Sequence, residues 1–250
     1  DSRLPSHFMA CSCTASAYYA PPAQPARAAT MVPMAPTHTH APLLLTGFDP
    51  FGGDAVNPSW LVARALHGQR IAGRTVVAAQ LPTVFGAAQE QLQALLALHR
   101  PALVLCLGQA GGRATLSVER VAINLIDARI PDNQGAQPLD APVAPDGPAA
   151  YFATLPVKAL HRAAQRAGLP CEVSQTAGTF VCNAVFYGLM HQLATGAAPL
   201  ARGGFVHVPW LPEQGTPGMQ LRDMVRGIHA MLWAAVLHPQ DIAIGAGALH

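Results

Sequence analysis

The chain has 250 residues, of which 51% are hydrophobic and 11% are charged, and its formal net charge is +2. The hydrophobic content excludes a disordered chain, and the near-neutral charge argues against nucleic-acid binding through a basic surface. No apolar run reaches the roughly 18 residues that a membrane-spanning helix needs; the most apolar stretch, from Ile228 to Leu237, is short and contains His229. We therefore expect a soluble globular protein with a large core, no nucleic-acid partner and no membrane association.

The N-terminal residues 1–41 are predicted to be a disordered or non-native extension. They are rich in Pro, Ala and Ser and contain a single acidic residue, Asp1. A transit peptide is the alternative, but arginine is scarce there; a reading frame that truly starts at Met31 or Met34 would also explain the segment. We expect residues 42–238 to form one domain and residues 239–250 to be a C-terminal tail.

From Leu43 onward, short apolar runs that end near glycine alternate with segments whose apolar residues recur at helical spacing. In chain order, the predicted elements are strand 43–46, helix 57–68, strand 75–81, helix 84–99, strand 103–107, the strand-like segment 116–123, the surface loop 131–148, helix 156–167, strand 172–175, helix 182–194, strand 205–208 and helix 221–237. Alternation of strands and helices over this length predicts the α/β class, as a single-domain three-layer α/β/α sandwich.

The five cysteines are odd in number and have no framework spacing, which argues against a disulfide scaffold and favours a reducing compartment. No Cys or His pair has the spacing of zinc ligands. The glycine pairs Gly52-Gly53 and Gly111-Gly112 fit neither a phosphate-binding loop nor a dinucleotide-binding motif. We therefore expect no metal site and find no nucleotide-binding motif in the glycine pairs.

Cys182 is the best candidate nucleophile in the chain. It lies where a glycine-containing turn leads into a predicted helix, and a helix N-terminus is expected to lower the pKa of a thiol. The alternative is an ordinary buried cysteine, because free Cys is among the most buried residue types. Cys106 lies inside an apolar strand and Cys171 at the entrance to another, so both fit a nucleophilic role less well.

His207 and Glu119 are candidate partners for such a thiol. His207 lies in an apolar strand late in the chain, where it is either a core histidine or the base that a cysteine nucleophile requires. Glu119 is an acidic residue among β-branched neighbours, and a buried carboxylate needs a partner. That partner is predicted to be Arg120 or Arg129, or else Glu119 orients His207 as the third member of a triad.

Several motifs, in order along the chain, resemble those of the pyroglutamyl-peptidase I family, also called pyrrolidone-carboxylate peptidases. The matching motifs are Thr46–Gly53, Asn57–Ser59, Gly108–Arg113, Glu119–Asn124, Arg129–Asn133, Ala177–Asn183 and His207–Pro209. The resemblance extends from about Leu43 to Leu237, but it covers neither residues 1–41 nor the segment after His238.

The resemblance implies a cysteine peptidase that removes an N-terminal pyroglutamyl (5-oxoprolyl) residue from peptides through a thioester, without a cofactor. By position, Cys182 would be the nucleophile, His207 the general base and acid, and Glu119 the residue that orients His207. The residues implied to bind substrate are Phe48, Phe51, Gln109, Arg129, Ile130, Phe180 and Val181. The family fold is an α/β/α sandwich with a mixed sheet, related to nucleoside phosphorylases, and its members are cytoplasmic and often homotetrameric.

The sequence leaves open two alternatives to a peptidase. One is a catalytically silent homologue that binds pyroglutamyl or other lactam ends, although intact Glu119, Cys182 and His207 argue against it. The other is a nucleoside phosphorylase or hydrolase of related fold. That alternative lacks a recognisable phosphate site and gives no reason for an activated cysteine.

Overall fold

The structure, a computed structural model, describes residues 41–196 and 201–247. Apart from residue 41, the predicted N-terminal extension lies outside the described residues. The strands are β1 (Leu43–Phe48), β2 (Arg70–Ile71), β3 (Arg74–Leu81), β4 (Leu103–Gln109), β5 (Leu116–Glu119), β6 (Val121–Ile123), β7 (Ala150–Phe152), β8 (Cys171–Ser174) and β9 (Arg202–Val208). The helices are α1 (Pro58–Leu66), α2 (Ala87–His99), α3 (Val157–Arg166), α4 (Val181–Thr195) and α5 (Leu221–Leu237).

The central sheet has seven strands in the order β2-β3-β1-β4-β9-β5-β8. Strands β3, β1, β4 and β9 are parallel to one another. Strand β5 runs antiparallel to β9 and parallel to β8, and β2 runs antiparallel to β3. The predicted mixed sheet is therefore confirmed.

Each face of this sheet supports its own hydrophobic layer, because side chains alternate between the two faces of a strand. On β1, Leu43 and Leu45 belong to the layer formed with α1, α3 and α5, whereas Leu44 belongs to the layer formed with α2 and α4. The same alternation on β4 sends Leu105 to the first layer and Cys106 to the second. Helices on both faces of one sheet confirm the predicted three-layer α/β/α architecture.

The predicted segment 116–123 is not one strand. It breaks at Arg120, so that β5 stays in the central sheet while β6 pairs with β7 in a separate antiparallel hairpin. Neither β2 nor β7 was predicted, because strands of two or three residues are too short to give a periodic pattern.

Local chemistry sets the helix starts. The side chain of Asn57 accepts a hydrogen bond from the backbone N–H of Ser59 and so caps α1 at Pro58, as predicted. Helix α2 begins at Ala87, three residues later than predicted, because Gly86 has a φ of 75°, which lies outside the helical region.

The predicted surface loop 131–148 is mostly exposed, but Asp132 within it is buried. Its carboxylate accepts hydrogen bonds from the backbone N–H groups of Phe85, Gln134 and Ala136. Burial alone would raise the pKa of Asp132, but these backbone donors lower it below its usual value. The carboxylate thus ties this loop to the residues that precede α2.

Residues 239–247 pack back onto the domain. The carboxylate of Asp241 accepts hydrogen bonds from the backbone N–H groups of Lys158 and Ala159, and so caps the N-terminus of α3. The Arg202 guanidinium donates to the backbone carbonyls of Ala235 and His238 at the end of α5. Residues 248–250 of the predicted tail lie outside the described residues. None of the helices within 41–196 and 201–247 is long and apolar enough to cross a membrane.

Candidate active site

The three candidate catalytic residues lie on the face of the sheet that α4 covers. Val206 and Val208 of β9 point into the opposite layer, as do Leu116 and Val118 of β5. Alternation therefore directs His207 and Glu119 toward α4, and Cys182 is the second residue of that helix.

Gly108 at the end of β4 makes room for the thiol. A Cβ atom on residue 108 would lie only 2.8 Å from Cys182 Sγ and 2.8 Å from the Phe205 ring. Gly108 is also the register partner of His207 on the neighbouring strand β9. Adjacent strands lie about 4.8 Å apart, so the thiol and the imidazole share one small region at the carboxyl ends of β4 and β9.

His207 and Glu119 form a buried hydrogen-bonded pair. His207 Nδ1 lies 2.7 Å from Glu119 Oε1, and Glu119 is fully buried. Arg113 Nη1 donates to the same Oε1 at 2.9 Å. Because an ionised carboxylate only accepts hydrogen bonds, Nδ1 carries the imidazole proton, which leaves Nε2 able to accept one.

The cationic partner of Glu119 is therefore Arg113, and the prediction of Arg120 or Arg129 was wrong. Arg113 lies in the connection between β4 and β5, and its guanidinium reaches back to the end of β5. Sequence proximity favoured Arg120, but alternation along an extended chain directs adjacent residues to opposite sides.

Burial dominates the electrostatics of Cys182. Burial, the negative charge of Glu119 and the neighbouring Cys106 raise the pKa of the Cys182 thiol to about 12, and Arg113 opposes this rise only in part. The thiol pKa is therefore raised and not lowered as predicted, because burial outweighs the backbone N–H of Cys182 at the helix start, which does lower it. The thiol is protonated at neutral pH, so it needs a base to become a nucleophile.

The loop before Cys182 is held by a small set of hydrogen bonds. Gly178, with a φ of 77°, donates its backbone N–H to the Thr176 hydroxyl. Thr179 and Asp127 exchange two hydrogen bonds, one from the Thr179 hydroxyl and one from the Asp127 backbone N–H. Helix α4 then begins with Phe180 as its N-cap, which makes no side-chain capping hydrogen bond. The first backbone N–H groups of α4 are thus free of a side-chain cap and can bind an anion.

Three aromatic side chains gather beside this helix start. Phe180 lies 6.1 Å from Phe51 and 5.3 Å from Phe85 between ring centroids, the second pair edge to face. All three are half-buried. Phe85 was not among the predicted site residues, and its only signal in the sequence is its position directly before Gly86.

Phe48 and Val181, which were predicted to line the same pocket, are almost fully buried. Each is about 1% exposed and belongs to the hydrophobic layer beneath α2 and α4. The Phe48 ring packs 6.5 Å from the Phe205 ring. Arg129 and Ile130, by contrast, are exposed at the start of the loop 131–148.

The side chain of Gln109 has a fixed amide orientation. Its Nε2 donates to Asp54 Oδ2 at 2.7 Å, and the carboxylate can only accept, so Oε1 points the other way. Gln214 Nε2 donates to the same Asp54 oxygen at 3.2 Å and to Gln109 Oε1 at 3.4 Å. Asp54 and Gln214 were not predicted; Gln214 comes 105 residues after Gln109, and no pattern in the sequence connects the two.

The other two described cysteines are also free, and Cys106 lies near Cys182 in the layer beneath α2 and α4. Cys106 is fully buried, which raises its pKa to about 12. Burial and Glu172 raise the pKa of Cys171 to about 12. Within residues 41–196 and 201–247, no group of three or more His, Cys, Asp or Glu side chains could hold a metal ion.

Comparisons with known proteins agree with the motifs. The profile of the pyroglutamyl peptidase family matches residues 41–238. The pyrrolidone-carboxylate peptidase of Cupriavidus taiwanensis is 55% identical over 213 residues, which is 83% of this chain and 99% of that protein. The pyrrolidone-carboxylate peptidase of Streptomyces coelicolor is 55% identical over 214 residues, again 83% of this chain and 99% of the relative.

Solved structures agree as well. The crystal structure of pyroglutamyl peptidase I from Bacillus amyloliquefaciens superposes with a TM-score of 0.81 at 43% identity, over 82% of this chain and all of that one. The pyrrolidone carboxyl peptidase from Thermococcus litoralis gives a TM-score of 0.79 at 35% identity, over 82% of this chain and 99% of that one. Because the family profile and these relatives cover most of the chain, the chain belongs to the pyroglutamyl peptidase family.

Proposed function

We propose that the chain is a cysteine peptidase that removes an N-terminal pyroglutamyl residue from peptides, with Cys182, His207 and Glu119 as its catalytic triad. The observation that carries the proposal is the buried Glu119–His207 hydrogen bond beside the thiol of Cys182, in a member of this family. We propose residues 42–238 as the catalytic domain, in accord with the match over 41–238.

The reaction begins with proton transfer. His207 Nε2 takes the proton of the Cys182 thiol as Sγ attacks the carbonyl carbon of the pyroglutamyl residue. The tetrahedral oxyanion accepts hydrogen bonds from the backbone N–H groups at the start of α4. Glu119 holds the imidazole in the correct tautomer and balances the imidazolium charge.

The intermediate then collapses. The C–N bond breaks, His207 returns its proton to the leaving amine, and a 5-oxoprolyl thioester remains on Cys182. Water, deprotonated by His207, attacks this thioester; Cys182 leaves as the thiol and 5-oxoproline is released. Every proton in this cycle passes through His207, and no cofactor is needed.

We propose that the uncharged pyroglutamyl ring binds against Phe51 and Phe180, close to the start of α4. A lactam has no charged amine, so an apolar pocket with a few polar groups suits it. Gln109 Oε1 accepts a hydrogen bond from Gln214 Nε2, and its second lone pair is a suitable acceptor for the lactam N–H. We propose that Phe48 and Val181, which are buried, support this wall from the core beneath it, and that Arg129 and Ile130, which are exposed, line the rim toward the peptide.

Selective hydrolysis tests the proposed function. The purified, reduced protein should release a fluorophore from a pyroglutamyl amide but not from prolyl or alanyl amides, and iodoacetamide should abolish the release. If the folded protein releases no fluorophore, the peptidase function is refuted, and binding of 5-oxoproline would then identify a catalytically silent homologue.

Truncation of the aromatic wall should weaken substrate binding. The Phe51→Ala variant is expected to raise KM about tenfold, or ~1.4 kcal/mol, with kcat little changed, because ring contacts are lost but the triad is intact. Phe152→Ala, at a side chain that is 71% exposed on β7, is the matched control and should leave KM unchanged. An unchanged KM for Phe51→Ala would remove that ring from the pocket. Phe48→Ala is a poorer probe, since loss of this buried ring costs about 3–5 kcal/mol of stability.

The protonation state of Cys182 gives a second test. With a pKa of about 12, the thiol should contribute no thiolate absorbance at neutral pH. The difference in ultraviolet absorbance between the wild type and Cys182→Ala measures this directly. A thiolate signal at neutral pH would instead indicate a resting thiolate–imidazolium pair.

We also propose a cytoplasmic location and a homotetrameric assembly, as the resemblance implies. Free thiols at Cys106, Cys171 and Cys182 suit a reducing compartment. Exposed Trp233 and Leu237 on α5 offer apolar surface for subunit contact. Light scattering of the purified chain would measure the assembly.

A further inference from the structure

Arg113 makes two contacts that join the two halves of the candidate site. Its Nη1 donates to Glu119 Oε1 at 2.9 Å, and its Nη2 donates to the backbone carbonyl of Thr176 at 3.3 Å. Thr176 opens the loop that leads to Cys182. One guanidinium therefore contacts both the carboxylate that holds His207 and the segment that places the nucleophile.

The charge of Arg113 matters because Glu119 is fully buried. A buried carboxylate without a positive partner is costly, and it takes up a proton instead. His207 must be neutral to accept the proton of Cys182, so it cannot supply that positive charge before the reaction begins. Arg113 is charged at every working pH and is about 30% exposed, so its own desolvation is limited.

The other titratable groups around Glu119 do not supply the positive charge that Arg113 supplies. Cys182 on α4 carries a neutral thiol at neutral pH. On the neighbouring strand β8, Glu172 is an acid whose carboxylate accepts a hydrogen bond from the Ser117 hydroxyl. The imidazole of His207 on β9 shares Oε1 with Arg113. Of these groups, Arg113 alone holds a permanent positive charge.

We propose that Arg113 is a positioning residue of this active site, which keeps the Glu119–His207 pair as an ionised carboxylate and a neutral imidazole while it anchors the Cys182 loop. The proposal rests on the proposed function. The motif Gly108–Arg113 then has two roles in the site. Gly108 makes room for the Cys182 thiol, and Arg113 positions the Glu119–His207 pair.

The direction of the expected pH shift follows from the positive charge of Arg113. Removal of a positive charge 2.9 Å from Oε1 strengthens the hold of the Glu119–His207 pair on an extra proton, whichever of the two side chains carries it. The protonated pair cannot accept the Cys182 proton. In the plot of kcat/KM against pH, the acid limb, where activity falls as pH decreases, should therefore move to higher pH.

The test compares Arg113→Met and Arg113→Lys with wild type on a pyroglutamyl amide. We expect Arg113→Met to shift the acid limb upward by about 1–2 pH units, because an opposite charge at this distance is worth about that much. Arg113→Lys keeps the positive charge, so its acid limb should lie much closer to that of the wild type than the acid limb of Arg113→Met does. Arg120→Met removes an adjacent arginine that does not contact Glu119 and should leave the limb in place.

A second readout does not depend on turnover. The NMR titration midpoint of the His207 ring should rise in Arg113→Met by a similar amount and stay near wild type in Arg113→Lys. If both the limb and the midpoint stay in place while kcat or thermal stability falls, Arg113 is only structural and the proposal is wrong. Failure of the wild type to cleave the amide would refute the peptidase function, and the NMR titration would still decide the electrostatic role.

Discussion

Replacement of Cys182 with alanine is expected to lower kcat by about 10⁵–10⁶-fold, the scale seen when a triad nucleophile is removed. The reason is chemical, since no other described thiol lies on Gly108 beside His207. The fold should persist, because the change removes one sulfur atom from a half-buried position at the start of α4. Circular dichroism and thermal unfolding measure that persistence, and hydrolysis of a pyroglutamyl amide measures the loss.

Cys171→Ala is the matched control for this variant. Cys171 is also partly buried and also has a raised pKa, but it lies at the start of β8. The control should keep full activity and full sensitivity to iodoacetamide. Substantial turnover by Cys182→Ala would rule out Cys182 as the nucleophile.

Replacement of Glu119 with glutamine is expected to lower kcat by about 10³–10⁴-fold, as loss of the acidic member of a triad does elsewhere. Glutamine is nearly isosteric, but it cannot balance the imidazolium that forms when His207 takes the Cys182 proton. It also leaves Arg113 opposite an uncharged side chain. KM should change little, because the proposed pocket wall at Phe51 and Phe180 does not include Glu119.

Glu172→Gln is the control for the acidic residue. Glu172 is an exposed neighbour on β8 whose carboxylate accepts a hydrogen bond from Ser117 rather than from His207. Its replacement should leave kcat close to wild type. Should Glu119→Gln retain kcat within tenfold of wild type, Glu119 would have a structural role and no catalytic one.

The sheet and the helices were predictable because their residues obey strong local rules. Leu43–Leu45 and Leu103–Leu107 are continuous apolar runs, as expected of buried parallel strands. The hairpin of β6 and β7 escaped prediction because three-residue strands with half-exposed side chains have no periodic signal. Helix starts followed the cap at Asn57, but the left-handed conformation of Gly86 depends on tertiary context.

The sequence motifs could nominate candidate site residues but not the interactions among them. Cys182, Glu119 and His207 could be selected from their places in motifs, but their environment depends on which strands become neighbours. The partner of Glu119 is Arg113 because a loop folds back along β5. Likewise, the thiol pKa depends on how deeply Cys182 is packed, which no local sequence rule states.

Contacts between distant segments were the hardest to foresee. Gln214 approaches Gln109 and Asp54 from a turn after β9, and only the folded sheet brings these three side chains together. The Asp241 cap on α3 is similar, since it joins the segment after α5 to a helix 82 residues earlier. In each contact one partner lies in an irregular segment, Asp54 and Gln214 in the first and Asp241 in the second, where neither periodicity nor propensity applies.

The proposed mechanism is tested most directly by trapping the thioester on Cys182. A pyroglutamyl thioester substrate, which acylates the enzyme faster than an amide, is mixed with the protein and quenched in acid, and the digest is mapped by mass spectrometry. We expect a 5-oxoprolyl group on the peptide that contains Cys182, and no such group in Cys182→Ala. Rapid turnover without an adduct on this peptide, or an adduct on another side chain, would contradict the proposed mechanism.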